Sequence, residues 1–357
     1  MLDAVVANEG EADVMQLSGG EPTLHPQFWE ILDAAKARPI KHVMVNTNGI
    51  VLAQDKDFVR RLAGYAPGIE VYLQFDSLRA DVHRELRGAD LTRIRRQALD
   101  NLNEAGLSTT LVVTLKKGLN DGEIGAIIDF ALGQPCVRGV TLQPIQDAGR
   151  VEDYDARLHR LTVSEIRRRI AEQSRLFTLE DVVPVPCNPD TLAMAYAIKT
   201  PEGTVPLTRW LDPQTLVEGS GNTIVFERDP ALHGAVKDRI FQLFSTNHSP
   251  ESQANCLSEL MCCLPLVSAP SALRYDNVFR VLIVQFMDAY SLDVRALKKS
   301  CIHFALPDGR LVPFESYNLL YRDDRRLESI RAGIASDFAR RRGAVTIPLV
   351  PAAPSAA

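Results

Sequence analysis

The chain has 357 residues, of which 46% are hydrophobic and 24% are charged, and its formal net charge is −5 at pH 7. This composition is typical of a globular protein with one large core and a smaller second one, and the scattered basic residues argue against nucleic acid as a partner. No apolar run reaches the ~18 residues of a membrane span, and the N-terminal segment is acidic, so we predict a cytoplasmic protein without a transmembrane segment.

Short β-branched runs alternate with amphipathic helical patterns from Asp13 to about Gln146. The predicted strands are "DVMQLSGG", "KHVMVNTNG", "IEVYLQFDS", "STTLVVTLKKG" and "VRGVTLQPIQ". Strands that alternate with helices predict parallel strands joined by right-handed crossovers. Five such strands fit either a doubly wound sheet or part of a (β/α) barrel.

Polar residues follow each predicted strand at its C-terminal end, which is the edge where ligands bind in both architectures. They are Ser18–Glu21, Asn46–Gly49, Gln74 with Asp76, Lys116 with Lys117, and Gln143 with Gln146. Any one of them fits a turn, because Gly, Asn and Asp are favoured there for backbone reasons. Their recurrence after all five strands favours a ligand site.

The character of the sequence changes after Gly149. Thr162 followed by Glu165 is a capping-box pattern and predicts a helix, and proline-rich and irregular stretches follow it. We therefore divide the chain into a strand and helix core at 1–150, a second lobe at 151–345 and a disordered tail at 346–357.

The segment "LSGGEPTLHP" at residues 17–26 holds the most specific motif. A Gly-Gly pair at the end of a strand lets the main chain approach a ligand closely, and the carboxylate of Glu21 suits an ammonium group better than a phosphate. The chain has neither a P-loop nor a Rossmann fingerprint, which also argues against a nucleotide phosphate site. We expect a zwitterionic or amino-acid-like ligand.

Together with "VNTNG", "LQFDS" and "RELRG", this segment resembles the radical S-adenosylmethionine (SAM) superfamily. The stretches "VPCNPDTLAMAYAIK" and "HFALPDGRLVPFESYNLLYR" resemble the branch that contains tetraether lipid synthase and methylase-like relatives. The resemblance implies an α/β fold, a partial (β/α)6 TIM-like barrel of the radical SAM type that lacks its first strand, followed by an α+β C-terminal lobe.

The resemblance also implies a SAM site. Gly19, Gly20 and Glu21 would bind the SAM amino group, Asn46 and Asn48 would lie near its ribose or carboxylate, and Gln143 would lie near its adenine. No catalytic residue is assigned.

Radical SAM chemistry uses a [4Fe–4S] cluster that is held by three thiolates, usually from a CxxxCxxC motif, and this motif is absent from the sequence. Three explanations are open. The chain is a truncated form of a full enzyme, a short relative that has lost the cluster, or a subunit whose partner supplies the first strand and the cluster. In each case we expect the chain alone to be inactive.

Four cysteines of the second lobe, Cys187, Cys262, Cys263 and Cys301, are candidate ligands of an auxiliary iron–sulfur cluster by the same resemblance. The alternative is that they are buried thiols. Thr191, Ser300 and Glu315 stand where relatives tend to have cysteines, so at least one auxiliary cluster would be altered or lost. Cys136 is predicted to be a core or loop residue.

The implied function is reductive cleavage of SAM to a 5′-deoxyadenosyl radical, which abstracts hydrogen from an unactivated carbon. The product would be a new carbon–carbon bond or a methyl group on a lipid-like or cofactor-like substrate, with ferredoxin or flavodoxin as electron donor. The alternatives are a SAM- or ligand-binding barrel without catalysis and an ordinary acid/base barrel enzyme that uses Glu21 and Asp76.

Overall fold

The computed structural model describes residues 1–10, 12–147, 154–185, 188–200, 203–209, 212–213, 277–300 and 302–322, and residue 332. Within these residues no helix is both long enough and apolar enough to cross a membrane. The predicted tail at 346–357 and the boundary near residue 150 lie outside them.

All five predicted strands are present, and they form a parallel sheet in chain order. They are β1 (Ala12–Leu17), β2 (Ile40–Thr47), β3 (Ile69–Gln74), β4 (Thr109–Leu115) and β5 (Val137–Pro144). Because parallel strands all end at the same edge, the polar residues that follow them share that edge. The predicted partial barrel of alternating strands and helices is confirmed.

Helices precede and connect these strands. They are α1 (Leu2–Glu9), α2 (Phe28–Lys36), α3 (Ile50–Gln54), α4 (Lys56–Ala63), α5 (Ala80–Arg87), α6 (Thr92–Ala105) and α7 (Ile124–Leu132), with a 3₁₀ turn at Pro22–Leu24. Their apolar faces and the outward face of the sheet bury one hydrophobic core. Cys136 lies in this core with 1% of its surface exposed, as predicted.

The strands after residue 151 extend the same sheet, which the sequence did not indicate. They are β6 (Val183–Pro184), β7 (Leu192–Thr200), β8 (Gly203–Pro206) and β9 (Val278–Val284). Strand β9 pairs with β5 in parallel, and β7 then pairs with β9 in antiparallel orientation. The division into two lobes stays a prediction, but these strands share a sheet with the first lobe.

Short elements complete the described part of the chain. They are α8 (Ala156–His159), α9 (Val163–Gln173), α10 (Val294–Leu297), β10 (His303–Ala305), β11 (Leu311–Pro313) and α11 (Phe314–Ser316), with a 3₁₀ turn at Leu207–Arg209 and a π-helical turn at Tyr317–Tyr321. Helix α9 begins with the predicted capping box of Thr162 and Glu165. Strands β10 and β11 form an antiparallel hairpin.

The second face of the sheet carries buried polar groups. Glu70 on β3 accepts hydrogen bonds from Arg280 on β9, at 2.8 and 3.0 Å, and lies 3.1 Å from His42 Nε2 on β2. Thr110 on β4 also donates to Glu70. Burial alone would raise the pKa of Glu70, but the charge of Arg280 and the contact with His42 hold it well below its usual range. This ion pair joins the two halves of the sheet.

Candidate functional site

The glycine pair after β1 presents an open stretch of backbone. Gly19 and Gly20 have φ angles of 98° and 53°, a region that favours glycine. A Cβ atom built on either residue would meet no atom within 4 Å. In the described part of the chain no hydrogen bond uses the backbone groups of these two glycines. Their N–H and C=O groups are therefore available to a ligand at the carboxyl edge of the sheet.

The carboxylate of Glu21, the next residue, accepts hydrogen bonds from other residues of the protein. Its Oε1 accepts hydrogen bonds from Thr23 N at 3.2 Å, Thr23 Oγ1 at 2.6 Å and Thr47 Oγ1 at 2.7 Å, and its Oε2 accepts from Asn48 N at 2.7 Å. The carboxylate thus ties the end of β1 to the end of β2. One acceptor direction remains at Oε2 for an ammonium group.

The two asparagines that follow β2 differ in their partners. Asn46 Nδ2 donates to Ser18 Oγ at 3.2 Å, beside the glycine pair. The side chain of Asn48 accepts from Ile50 N at 2.9 Å and so closes a local turn at the start of α3. Asn46 is therefore placed toward the glycine segment, whereas the side-chain oxygen of Asn48 has a structural partner.

The backbone conformation at position 49 and the small space around it both require a glycine there. Its φ is 74°, and a Cβ atom there would lie 2.5 Å from Leu73 Cδ1. The turn after β2 therefore packs directly on β3, which fixes the position of Asn48 N against Glu21.

We expect Gly49→Ala to lower the free energy of unfolding by about 1–3 kcal/mol, because the cost of the strained φ and the cost of the steric overlap with Leu73 are summed. Gly122→Ala is the control, since Gly122 is exposed, has no positive φ and has open space around it. The control should change the free energy by no more than about 0.5 kcal/mol in urea unfolding. Equal effects would contradict the packing argument.

Asp76, after β3, is buried and has a φ of 63°. Arg87 Nε and Nη2 donate to its two oxygens at 2.7 and 2.8 Å, and Thr114 N donates at 3.2 Å. Burial would raise the pKa of Asp76, but the hydrogen bonds and charge of Arg87 hold it below its usual value. A carboxylate clamped in this way stays ionised and orders the ends of β3 and β4. It is poorly suited to the proton transfers of an acid/base enzyme.

Other predicted strand-end residues are farther from the glycine segment. Gln143 is on β5, and its Nε2 donates to the hydroxyl of Tyr72 at 3.1 Å. Lys116 pairs with Glu85 on α5 at 2.7 Å. The structure thus groups Gly19, Gly20, Glu21, Asn46 and Asn48 at the ends of neighbouring strands, whereas Gln143 lies three strands along the sheet from β2.

Arg95 on α6 is a charged residue near the site that sequence reasoning missed. It is 1% exposed, and its Nε and Nη1 have no hydrogen-bond partner among the described residues. Burial lowers its pKa to about 10, and the charges of Asp76 and Glu21 oppose this effect. The helical pattern of "RIRRQALDNL" gave no signal that distinguishes Arg95 from its solvent-facing neighbours.

The predicted auxiliary-cluster ligands, Cys187, Cys262, Cys263 and Cys301, lie outside the described residues. Cys136 is the described cysteine, and burial raises the pKa of its thiol to about 11, which opposes the thiolate that iron requires. In the same residues no cluster of three His, Cys, Asp or Glu side chains could hold a metal. The described residues therefore do not fit an iron–sulfur cluster.

The described residues do fit SAM. The open glycine backbone offers carbonyl acceptors to an ammonium group and N–H donors to a carboxylate, and Glu21 adds a negative charge beside them. Arg87 forms an ion pair with Asp76, and the charges of Asp76 and Glu21 act on the buried Arg95. A zwitterionic amino-acid group matches this arrangement.

Comparison with known proteins finds similarity to one family in the part of the chain that carries these motifs. The sequence profile of the radical SAM superfamily matches residues 1–131. The 7,8-dihydro-6-hydroxymethylpterin dimethyltransferase of Methanocaldococcus jannaschii is 29% identical in an alignment of 346 positions that covers 87% of this chain and 67% of that protein. A probable GTP 3′,8-cyclase of Methanosarcina acetivorans is 34% identical in an alignment of 120 positions that covers 32% of this chain and 34% of the cyclase.

A solved structure of a radical SAM methyltransferase from Sphaerobacter thermophilus is 20% identical, covers 47% of this chain and 50% of that one, and has a TM-score of 0.32. The chain spans 67% of the length of the dimethyltransferase and 34% of the cyclase. The matched profile covers the strand ends that carry Gly19–Glu21 and Asn46–Gly49. Residues 1–131 of this chain are therefore similar to the radical SAM superfamily.

Proposed function

We propose that this chain is the SAM-binding part of a radical SAM enzyme that forms a carbon–carbon bond or adds a methyl group on a cofactor-like or lipid-like substrate. SAM and a [4Fe–4S] cluster are the cofactors of this superfamily, and its members are enzymes. The observation that carries the proposal is the open Gly19–Gly20 backbone, which Glu21 fixes to the next strand.

One electron from a reduced cluster would cleave SAM to methionine and a 5′-deoxyadenosyl radical, and this radical would abstract hydrogen from the substrate. In this chain the glycine backbone would hold the amino-acid group of SAM, and Asn46 would orient it from the neighbouring strand. Asp76 and Arg87 would hold the third strand end in place. Thiolate ligands for the cluster would have to come from outside the described residues, and electrons from a donor such as ferredoxin or flavodoxin.

The interior face of the sheet supports a cofactor-like substrate. Met44, Tyr72 and Val112 form a small buried apolar cluster on β2, β3 and β4, with Val14 packed against it. Nearer the carboxyl edge the same face carries polar side chains, Asn46, Gln74, Thr114 and Gln143, which are half-buried. A flat aromatic ring with polar edges could pack on the apolar cluster and form hydrogen bonds with these polar side chains. The similarity to a pterin dimethyltransferase supports the same substrate class.

A SAM-binding protein without catalysis is the second candidate, and the lack of a described thiolate set favours it. The two are separated by supplying iron, sulfide and a low-potential reductant under anaerobic conditions. Formation of 5′-deoxyadenosine from SAM supports the enzyme. SAM binding without 5′-deoxyadenosine supports the binding protein.

The SAM site is tested by two glycine variants. Gly20 and Gly10 have φ angles of 53° and 68°, and both have open space around them, so substitution by alanine introduces similar backbone strain at the two positions. Gly20 lies in the proposed site, whereas Gly10 follows α1 outside it and is the control. We expect both variants to lose about 1 kcal/mol of stability. Calorimetric titration with SAM should show at least ~10-fold weaker binding for Gly20→Ala only.

Equal SAM affinity in the two variants would overturn the assignment of the glycine segment. Absence of SAM binding to the unsubstituted chain would overturn the proposed function itself.

A further inference from the structure

Arg95 on α6 is a buried cation that lies beneath the turn after β2. It is 1% exposed, and its Nη1 lies 3.7 Å from the position that a Cβ atom would take on Gly49. Neither its Nε nor its Nη1 has a hydrogen-bond partner among the described residues. Burial of a charged group that is not fully hydrogen-bonded is unfavourable, so the position of Arg95 requires a compensating interaction.

Two carboxylates provide that interaction through their charge. Asp76 follows β3 and Glu21 follows β1, the strands on either side of β2. The charges of both carboxylates favour the protonated form of Arg95, and the charge of Arg87 opposes it. Inside a protein such charges act more strongly than in water, because the surroundings screen them less. The guanidinium therefore lies beneath the middle one of three strand ends and interacts with the acidic groups of the outer two.

The two carboxylates differ in their direct partners. Asp76 accepts hydrogen bonds from the guanidinium of Arg87 at 2.7 and 2.8 Å. The four described donors to Glu21 are neutral backbone and hydroxyl groups. Arg87 thus balances the charge of Asp76 directly, and Arg95 is the cation that remains to balance Glu21. Loss of that charge would favour rotation of the half-buried Glu21 carboxylate toward water.

Contacts through one turn connect Arg95 to the hydrogen bonds of Glu21. Thr47 Oγ1 donates to Glu21 Oε1 at 2.7 Å and accepts from Gly49 N at 3.0 Å. Asn48 N donates to Glu21 Oε2 at 2.7 Å. Because Gly49 packs on Arg95, the turn that supplies two of the donors to Glu21 lies directly on the guanidinium.

We propose that Arg95 is a positioning residue of the SAM site, whose buried charge keeps the Glu21 carboxylate in hydrogen-bond contact with the turn after β2. At 1% exposure Arg95 does not touch a ligand, so it acts through Glu21. Its effect on SAM binding rests on the proposed function, whereas its effect on Glu21 can be measured without a ligand.

The ligand-free test measures amide hydrogen exchange at Asn48, whose N–H donates to Glu21. Arg95→Met removes the charge and keeps an unbranched side chain, and it should accelerate this exchange at least ~10-fold relative to the amide of Val113, a buried residue of β4. A general loss of stability would accelerate both amides equally. Arg96→Met, an exposed arginine on the same helix, is the control and should change neither amide.

Retention of the charge should restore the effect. Arg95→Lys keeps a cation at this position, and it should recover at least half of the lost protection at Asn48. Calorimetric titration with SAM should show about 5–10-fold weaker binding for Arg95→Met. In a Glu21→Gln background the same substitution should weaken SAM binding less than ~2-fold, because the charge on which Arg95 acts is already absent.

The proposal is overturned if Arg95→Met leaves the exchange at Asn48 unchanged relative to Val113, or if Arg95→Lys recovers no protection. It is also overturned if Arg95→Met weakens SAM binding equally with and without Glu21→Gln. Absence of SAM binding to the unsubstituted chain would overturn the proposed function, and the exchange data would still decide whether Arg95 positions Glu21.

Discussion

Replacement of Arg280 by methionine is expected to lower the free energy of unfolding by about 3–5 kcal/mol. Arg280 donates to both oxygens of Glu70, and neither side chain is more than 7% exposed. Without the guanidinium, Glu70 keeps a buried negative charge and loses the cation that donates to both of its oxygens, while His42 and Thr110 still contact it. Because the pair joins β9 to β3 across the interior, its loss also weakens the contact between the two halves of the sheet. Urea unfolding at pH 7 measures the change.

Two control variants test whether the stability loss comes from leaving a charge buried without Arg280. The double variant Glu70→Gln with Arg280→Met removes both charges and should recover more than half of the lost stability, because the penalty comes from the buried carboxylate that has lost Arg280. Arg310→Met breaks an exposed ion pair with Asp308 and should change stability by less than about 1 kcal/mol. A loss for Arg280→Met no larger than that for Arg310→Met would contradict the argument.

The pH dependence of this effect has a defined sign. The pKa of Glu70 lies below its ordinary value in the folded protein, so its contribution is complete above the unfolded pKa, about 4.5. That contribution is lost only as the pH falls from there through the lower folded pKa. The contribution of Glu70 to the stability of the unsubstituted chain should therefore stay constant from pH 6 to pH 8, and the difference from Arg280→Met should shrink in acid.

The parts of the fold that could be predicted from the sequence are those that local sequence patterns determine. The first five strands follow from runs of β-branched residues between amphipathic helices, and all five are found in one parallel sheet. The capping box of Thr162 and Glu165 is also a local pattern, and it is confirmed.

Long-range contacts were not predictable in the same way. Strand β9 begins 134 positions after the last residue of β5, and nothing in its apolar run "VFRVLIV" specifies that neighbour. Glu70 and Arg280 are 210 positions apart. The sequence pattern placed Asp76 and Glu21 at the ligand edge of the sheet. It did not show which of their carboxylate oxygens already accept hydrogen bonds from the protein. The donors are Arg87 for Asp76, and Thr47 and Asn48 for Glu21, and these contacts exist only in the folded structure.

Replacement of Glu21 by alanine is expected to weaken SAM binding by about 30–100-fold. Its carboxylate receives four hydrogen bonds from Thr23, Thr47 and Asn48, and hydrogen bonds to a charged group are each worth about 1.5–3 kcal/mol. Without them the end of β1 is released from β2, and the glycine backbone loses its fixed position. Calorimetric titration with SAM measures the loss, and Glu30→Ala, an exposed residue on α2, is the control.

Two additional variants decide how Glu21 acts. Thr47 is fully buried, so Thr47→Val cannot touch a ligand, yet it removes the hydrogen bond to Glu21 Oε1. If Glu21 acts by holding the glycine segment, Thr47→Val should weaken SAM binding by about 3–10-fold, since one bond to a charged group is lost. If the carboxylate instead binds the ammonium group of SAM directly, Glu21→Gln should have nearly the full effect of alanine while Thr47→Val leaves SAM affinity unchanged. The geometry favours the first result, because three of the four bonds converge on Oε1 and only Oε2 has an acceptor direction left for a ligand.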